Sequence, residues 1–373
     1  VVPVIALAAI GVVMVYSASS IVAGDRLGDP AFFLKRQALW VALGVAALLV
    51  TQRIHYATFR RFVPLLLLVS VVSLVLVLVP GIGRVAGGAR RWISLGGPLS
   101  FQPSESAKLV LALYLANFLA NRGPALGEFG RGVLPPVLVT ALMFGLVLLQ
   151  PDLGTAILLG LLTLTMLFMA GARMRHLFGL AVVGAPGVAL AILGEEYRRR
   201  RILAFLDPWA DPQGYGFHII QSLLALGSGG LFGVGLGASR QKFFYLPERH
   251  TDFIFAILGE ELGLLGTAAV LLLFAVFALR GYGVARRAPD QFGSLFAAGI
   301  TTIVLIQAII NIGVTAGVFP ITGVPLPFVS FGGSSLLFTM IGVGMLLNIS
   351  QYSKSAESPG IAESPQRSVA PVR

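Results

Sequence analysis

Apolar residues fall into long blocks separated by polar stretches. The blocks lie near 2–20, 37–51, 62–80, 103–121, 133–149, 153–171, 176–193, 253–280, 293–318 and 330–349. Runs of this length predict helices, and a membrane-crossing helix needs about 20 apolar residues. The pattern therefore predicts an all-α polytopic membrane protein of about ten transmembrane helices, with the blocks at 37–51 and 133–149 short for a span. The first block lacks a signal-peptide cleavage pattern and is expected to stay as a helix. The chain opens on Val1, so a few preceding residues are expected to be missing. The predicted organisation is one transmembrane domain over 1–350, with a long extracytoplasmic loop at 194–252 between the seventh and eighth spans. The stretch 351–373 is rich in Ser, Pro, Ala and Glu and is expected to be a disordered cytoplasmic tail.

An even number of spans puts both ends on one side. With that side cytoplasmic, the short inner loops hold ten arginines (53, 60, 61, 122, 131, 173, 175, 280, 286 and 287), and the short outer loops hold six Lys or Arg (26, 35, 36, 84, 90 and 91). The bias favours this orientation. The outer side is still rich in cations, which suits something anionic there, and it also holds most of the acids. Any chemistry is expected to be extracytoplasmic.

Composition agrees. Hydrophobic residues make up 56% of the chain and charged residues 12%, with mean hydropathy +0.88. A soluble domain carries about twice that charged share. The absence of cysteine excludes disulfides, thiolate metal sites and cysteine nucleophiles. The net charge of +11 points to membrane headgroups or an anionic substrate, and no soluble basic domain suggests nucleic acid.

Four constellations carry candidate chemistry. LPERHTDFIFAILGEELG (246–263) puts Glu248, Arg249, His250, Thr251, Asp252, Glu260 and Glu261 at the head of an apolar span. Ionisable groups persist there when they face a cavity or do chemistry. Asp252 can be a helix cap or a working carboxylate. Neighbouring Arg240, Lys242 and Arg249 are expected to hold it ionised. FQPSESAK (101–108) puts Glu105 and Lys108 at i,i+3 on one helix face, as a structural pair or a cavity wall. ARRWISLGG (89–97) is a basic loop that either anchors at the interface or clamps phosphate. In the loop 194–252, Arg198 to Arg201 lie beside aromatics, and GSGGLFGVGLG (227–237) follows. No strand precedes those glycines and no Walker lysine follows, so they predict close backbone packing or a mobile loop. The block 293–318 and the 319–330 loop carry no charge, which suits packing against another membrane segment.

GARRWISLGGPLSFQPSESAKL, LLQPDLGTA, YRRRRILAFLDPWADPQGYGFHIIQS, LGSGGLFGVGLGASRQKFFYLPERHTDFIFAILGEELG and NIGVTAGVFPITGVPLPFVSFGGSS, in this order, resemble the SEDS family (shape, elongation, division and sporulation). HIIQS, LPERH and GVPLPFVS lean to its RodA branch, and FLDPWADP and LFGVGLG to FtsW. The resemblance implies a peptidoglycan glycosyltransferase that polymerises lipid II outside the cytoplasmic membrane and serves elongation and cell shape. It also implies a class B penicillin-binding protein as partner. It implies that Asp252 is the essential acid, with a divalent cation, Mg²⁺ or Mn²⁺, as a candidate companion. It implies substrate or cavity roles for Glu105, Lys108, Arg91, Trp92, Asp152, Arg198, Arg201, Gln221, Lys242, His250, Thr251 and Ser330. Arg199 and Arg200 exceed the family pattern.

The chemistry fits this inventory. An acceptor hydroxyl attacks an anomeric carbon bearing pyrophosphate, so one carboxylate serves as base and cations stabilise the leaving group. A flippase for lipid-linked precursors and a non-catalytic scaffold are the competing classes.

Overall fold

The computed structural model describes residues 1–86, 88–94, 96, 100–242, 246 and 248–353. All of the tail expected to be disordered, apart from its first residues, lies outside them. The helices are α1 (Val2–Leu27), α2 (Phe32–Thr51), α3 (Tyr56–Arg61), α4 (Val63–Leu76), α5 (Pro103–Ala120), α6 (Leu134–Leu148), α7 (Leu153–Met169), α8 (Met174–Leu193), α9 (Glu196–Leu206), α10 (Phe217–Ser228), α11 (Ile254–Arg287), α12 (Gln291–Thr315) and α13 (Gly333–Gln351). Each apolar block of the sequence is a helix. Among the described residues, seven helices are long and apolar enough to cross a membrane; α4, with 14 residues, and α7, with 17, are shorter.

A small antiparallel sheet, β1 (Gly83–Ala86), β2 (Ala89–Ser94) and β3 (Ser100–Phe101), joins α4 to α5. Its strands are too short and basic to show as an alternating pattern. It places Arg91 and Trp92 on β2, with Trp92 opposite Arg84.

The molecule is built round α12, which packs against α5, α7, α11 and α13. The block 293–318 does pack against membrane segments, but they are this chain's own. An uncharged helix with small residues suits a bundle centre equally well. Gly299 lies against Met166 and Ala112, where an added Cβ would come within 3.0 Å of Met166. By contrast, Leu177 is the buried residue of α8, which stands at the rim against α7 and α9.

The predicted span at 253–280 is broken. Gly263 sits at φ 66°, ψ −163° inside α11. The break strands backbone groups, and the glycine run picks them up. Leu264 N donates to Gly230 O at 2.9 Å, Leu265 N to Leu231 O at 3.2 Å, and Val234 N to Glu260 O at 3.0 Å. Such close approach needs missing side chains: a Cβ on Gly233 would lie 2.1 Å from Glu261 O, and one on Gly229 2.0 Å from Gly259 O. GSGGLFGVGLG is thus a backbone splint for a discontinuous helix.

Candidate active site

The turn before α11 carries His250, Thr251 and Asp252, and each of its carbonyls is held from outside. His250 O accepts from Phe331 N at 2.9 Å. Thr251 O accepts from Ser330 Oγ at 2.6 Å, and that hydroxyl accepts in turn from Leu326 N at 2.8 Å. Asp252 O accepts from Asn311 Nδ2 at 2.8 Å. Glu248 O accepts from Thr251 N at 3.2 Å and Phe253 N at 3.1 Å. Glu248 (φ 49°) and Phe328 (φ 67°) are held in the left-handed region, which bulky residues seldom adopt. Strain of this kind persists where surrounding contacts over-determine it, and it gathers at functional sites.

Asp252 does not cap α11. The helix opens at Ile254 after Phe253, with no side-chain cap hydrogen bond. No hydrogen bond or ion pair reaches the Asp252 carboxylate among the described residues. Burial, then the charge of Glu248, pushes its pKa up to about 7; Arg201 and Arg91 oppose this and Asp152 adds to it. The expectation that Arg240, Lys242 and Arg249 hold it ionised is therefore corrected. Lys242 Nζ turns to Glu261 Oε1 at 3.3 Å, the backbone N–H of Arg240 binds Glu260, and Arg201 and Arg91 are the cations that act on Asp252. The His250 ring is wedged between Phe33 and Phe331, with centroids at 4.5 and 5.7 Å. Its burial lowers its pKa to about 4, which keeps the ring neutral. Thr251 Oγ1 donates to Glu248 Oε2 at 2.9 Å.

Beside this turn lies the junction of α6 and α7. Asp152 is 4% exposed and caps α7, accepting from Thr155 N at 3.1 Å and Thr155 Oγ1 at 3.0 Å. Arg91 Nε donates to Gln150 O at 2.8 Å, and its second nitrogen reaches Pro151 O. Tyr197 OH donates to Pro151 O at 3.1 Å. Arg198 is spent on structure: it donates to Tyr197 OH at 2.9 Å, Ala191 O at 2.8 Å and Leu148 O at 3.3 Å. Arg201, like Arg198, lies over the Tyr197 ring, at 5.6 and 5.4 Å from its centroid. It lines a cleft of about 70 Å³ with Pro151, Ile157, Ile192 and Thr322. Arg199 and Arg200 are exposed, and Arg200 pairs with Glu196.

Glu105 and Lys108 form their expected pair at 2.8 Å, both side chains 4% exposed. They line a cavity of about 20 Å³ between α5, α12 and α13. Gln307 lines it too, 1% exposed, with neither amide atom partnered among the described residues. Lys242 belongs to a separate network. Ser17 Oγ donates to Glu261 Oε1 at 2.7 Å, Ser239 Oγ donates to Glu260, and Arg240 N donates to Glu260 at 2.9 Å. These glutamates hold the 239–242 segment and α1 against the broken helix. Gln221 sits on α10 and Trp92 on β2, both half-buried. No group of three or more His, Cys, Asp or Glu among the described residues could hold a metal.

Asn311, Gln307 and Thr322 went unmarked in the sequence. The signal that picked out Asp252, a polar group inside an apolar block, also marks Gln307 and Asn311 within 293–318.

Residues 1–355 match the family model FTSW_RODA_SPOVE, described as cell cycle protein. Stage V sporulation protein E of Bacillus subtilis (strain 168) is 47% identical over 345 residues, covering 92% of this chain and 94% of that protein. A protein of Geobacter metallireducens named probable peptidoglycan glycosyltransferase FtsW is 46% identical over 350 residues, covering 94% of this chain and 93% of that one. Among solved structures, the rod shape determining protein RodA of Thermus thermophilus superposes with TM-score 0.71 at 33% identity, over 95% of this chain and 96% of that one. A chain from a peptidoglycan synthase complex, in a structure concerned with coordination of polymerization and crosslinking, superposes with TM-score 0.77 at 35% identity, over 94% of this chain and 96% of that one.

Proposed function

The chain belongs to the FtsW, RodA and SpoVE family of cell cycle proteins, and on that premise we propose that it polymerises lipid II into glycan strands on the outer side of the cytoplasmic membrane. It is a glycosyltransferase, on its likeness over most of its length to relatives named probable peptidoglycan glycosyltransferase. The observation that carries the mechanism is the Asp252 carboxylate, unpartnered among the described residues, with a pKa of about 7. A general base works best when its pKa lies near the operating pH. Asp252 takes the proton of the acceptor's sugar hydroxyl as that oxygen attacks the anomeric carbon. The bond to pyrophosphate breaks, and the leaving group departs as undecaprenyl pyrophosphate. Arg201, in the adjoining cleft, offers that group a cation.

A divalent cation would neutralise the leaving pyrophosphate. Mg²⁺ is commonly held by one or two carboxylates together with substrate phosphates, and a lone Asp252 suits that mode. Activity lost to a chelator and restored by Mg²⁺ or Mn²⁺ supports the cation; indifference to chelation removes it.

The decisive experiment is reconstitution of the pure protein with lipid II in the absence of any other glycosyltransferase. Glycan strands from the parent, and none from Asp252→Asn, support this reading. Translocated but unpolymerised lipid II favours a flippase, and neither outcome favours a scaffold. A class B penicillin-binding protein is the proposed partner, supported by likeness to a chain of a synthase complex and tested by co-purification in mild detergent. For the cellular role we favour elongation and cell shape, on the motifs HIIQS, LPERH and GVPLPFVS. The names FtsW and Stage V sporulation protein E among the relatives weigh the other way. Depletion separates them: rounded cells mean elongation, filaments mean division.

A further inference from the structure

Asn311 lies in the middle of the bundle, 1% exposed, on the most enclosed helix of the molecule. Its Nδ2 donates to Asp252 O at 2.8 Å and to Val324 O at 2.9 Å. Two carbonyl partners fix which way the amide points, because the flipped group would aim oxygen at oxygen. Oδ1 is then buried without a partner among the described residues. An aliphatic side chain of similar size would remove that unsatisfied oxygen but strand the Asp252 and Val324 carbonyls, so the amide is here for the two bonds it donates. Packing alone therefore does not account for an asparagine here.

The two segments it joins are the two sides of one carboxylate. One is Asp252's own main chain. The other is the turn at 322–324, where a Cβ added to Gly323 would lie 3.7 Å from Asp252 Oδ2. Phe331 N and Ser330 Oγ hold the carbonyls of His250 and Thr251, but both come from the segment entering α13. Asn311 ties the Asp252 peptide itself to a helix of the bundle centre. We propose that Asn311 is a positioning residue for catalysis, whose carboxamide sets the Asp252 carboxylate against the Gly323–Val324 wall where the reacting hydroxyl is held. This rests on Asp252 being the base.

Positioning makes a prediction that mere bracing does not. With the amide gone, substrate still binds but the carboxylate is misplaced in the transition state, so the loss falls on kcat and not on KM.

The test uses the full chain in lipid nanodiscs with lipid II. Asn311→Ala is expected to lower kcat about 10–100-fold with KM unchanged, since a misplacement of about 1 Å costs on that order. Asn311→Ser retains one donor and recovers part of the rate, and it carries the test if the alanine variant does not fold. Thermal melts report the folded fraction. A kcat per folded molecule equal to the parent's, in whichever variant folds, overturns the proposal. So does a loss that appears in KM with kcat unchanged. An Asp252→Asn protein that still polymerises condemns the reading of Asp252 itself; a dead Asp252→Asn beside a parent-like Asn311→Ala condemns this inference alone.

Discussion

Glu105 meets Lys108 at 2.8 Å, whereas no ion pair or hydrogen bond reaches the carboxylate of Asp252 among the described residues. Glu105 lies in the first turn of α5, and Asp252 in the turn that precedes α11. Glu105 is neutralised by its own helix one turn on, inside a cavity that its partner also lines. Asp252 has its main chain pinned and its side chain left open. Glu261 follows the first pattern, with Lys242 and Ser17, and so does Asp152, with Thr155. A buried charge with a partner stabilises an arrangement. A carboxylate without one, held in place through its carbonyl, is kept for something that arrives from outside.

The sharpest way to break this contrast is to remove the Asp252 carboxylate. Asp252→Asn is expected to lower polymerisation by about 10²–10⁴-fold, the usual worth of a positioned base, in the lipid II assay with pure protein. Its fold should not suffer. The folded-state pKa of about 7 lies above the ordinary carboxylate value, so the fold binds this proton more tightly than the unfolded chain does. Parent stability from this group is therefore full below the ordinary carboxylate range and falls as pH rises to about 7. Asparagine cannot ionise and escapes that fall. Melts of the two proteins should coincide below the ordinary carboxylate range and draw apart as pH rises to about 7, with the variant melting higher and the gap steady beyond. A variant that melts lower there would make Asp252 a structural group.

Glu105 should answer in the opposite way. Deleting one partner of a buried pair strands the other, at about 3–5 kcal/mol. Glu105→Ala and Lys108→Ala are each expected to melt well below the parent. Replacing both by apolar residues of similar volume should recover most of the loss. Single variants as stable as the parent would mean that water reaches the pair and the cavity is not dry. Gln307 sharpens the test, because it faces the same cavity with both amide atoms unpartnered among the described residues. Gln307→Leu should be neutral or stabilising, by the rule that removing an unsatisfied buried polar group is favourable. A marked loss of stability would reveal a hydrogen-bonded water or ligand at that amide.

This contrast was only half legible in the sequence. The helices were readable because apolar blocks near 20 residues admit little else, and the i,i+3 spacing of Glu105 and Lys108 gave their pairing directly. Asp252 stood out because charge at the head of an apolar block is costly. Its surroundings did not, because sequence proximity misled. Arg240 and Lys242 are near it in number, but the break at Gly263 turns Glu260 and Glu261 toward them. The groups that reach Asp252 come from β2, the start of α7, and α9, which only the packing of distant segments brings together. The role of the glycine run was equally hidden, since it depends on stranded backbone groups in another element. The central place of α12 was missed because a helix without charge looks the same whether its neighbours belong to this chain or another.

The smallest effect is expected where charge is plentiful and exposed. Arg200 and Glu196 form an i,i+4 pair on α9, with side chains 56% and 63% exposed. Both side chains keep most of their water, and their attraction is screened by salt. Arg198, two residues away, is buried and donates to the Leu148 and Ala191 carbonyls and to Tyr197 OH, while Arg201, with no such bond among the described residues, shares the Tyr197 ring and the cleft with it. Four consecutive arginines thus divide into two turned toward the bundle and two turned to solvent, as one turn of a helix dictates. Arg199→Ala and Arg200→Ala are expected to leave the melting temperature and the rate of polymerisation at parent values. Arg198→Ala should lower the melting temperature, and Arg201→Ala should lower the rate with the fold intact. A fall in rate for Arg200→Ala in pure protein with lipid II would mean that the exposed face of α9 also meets substrate. The contrast between partnered and open charges would then extend to the surface.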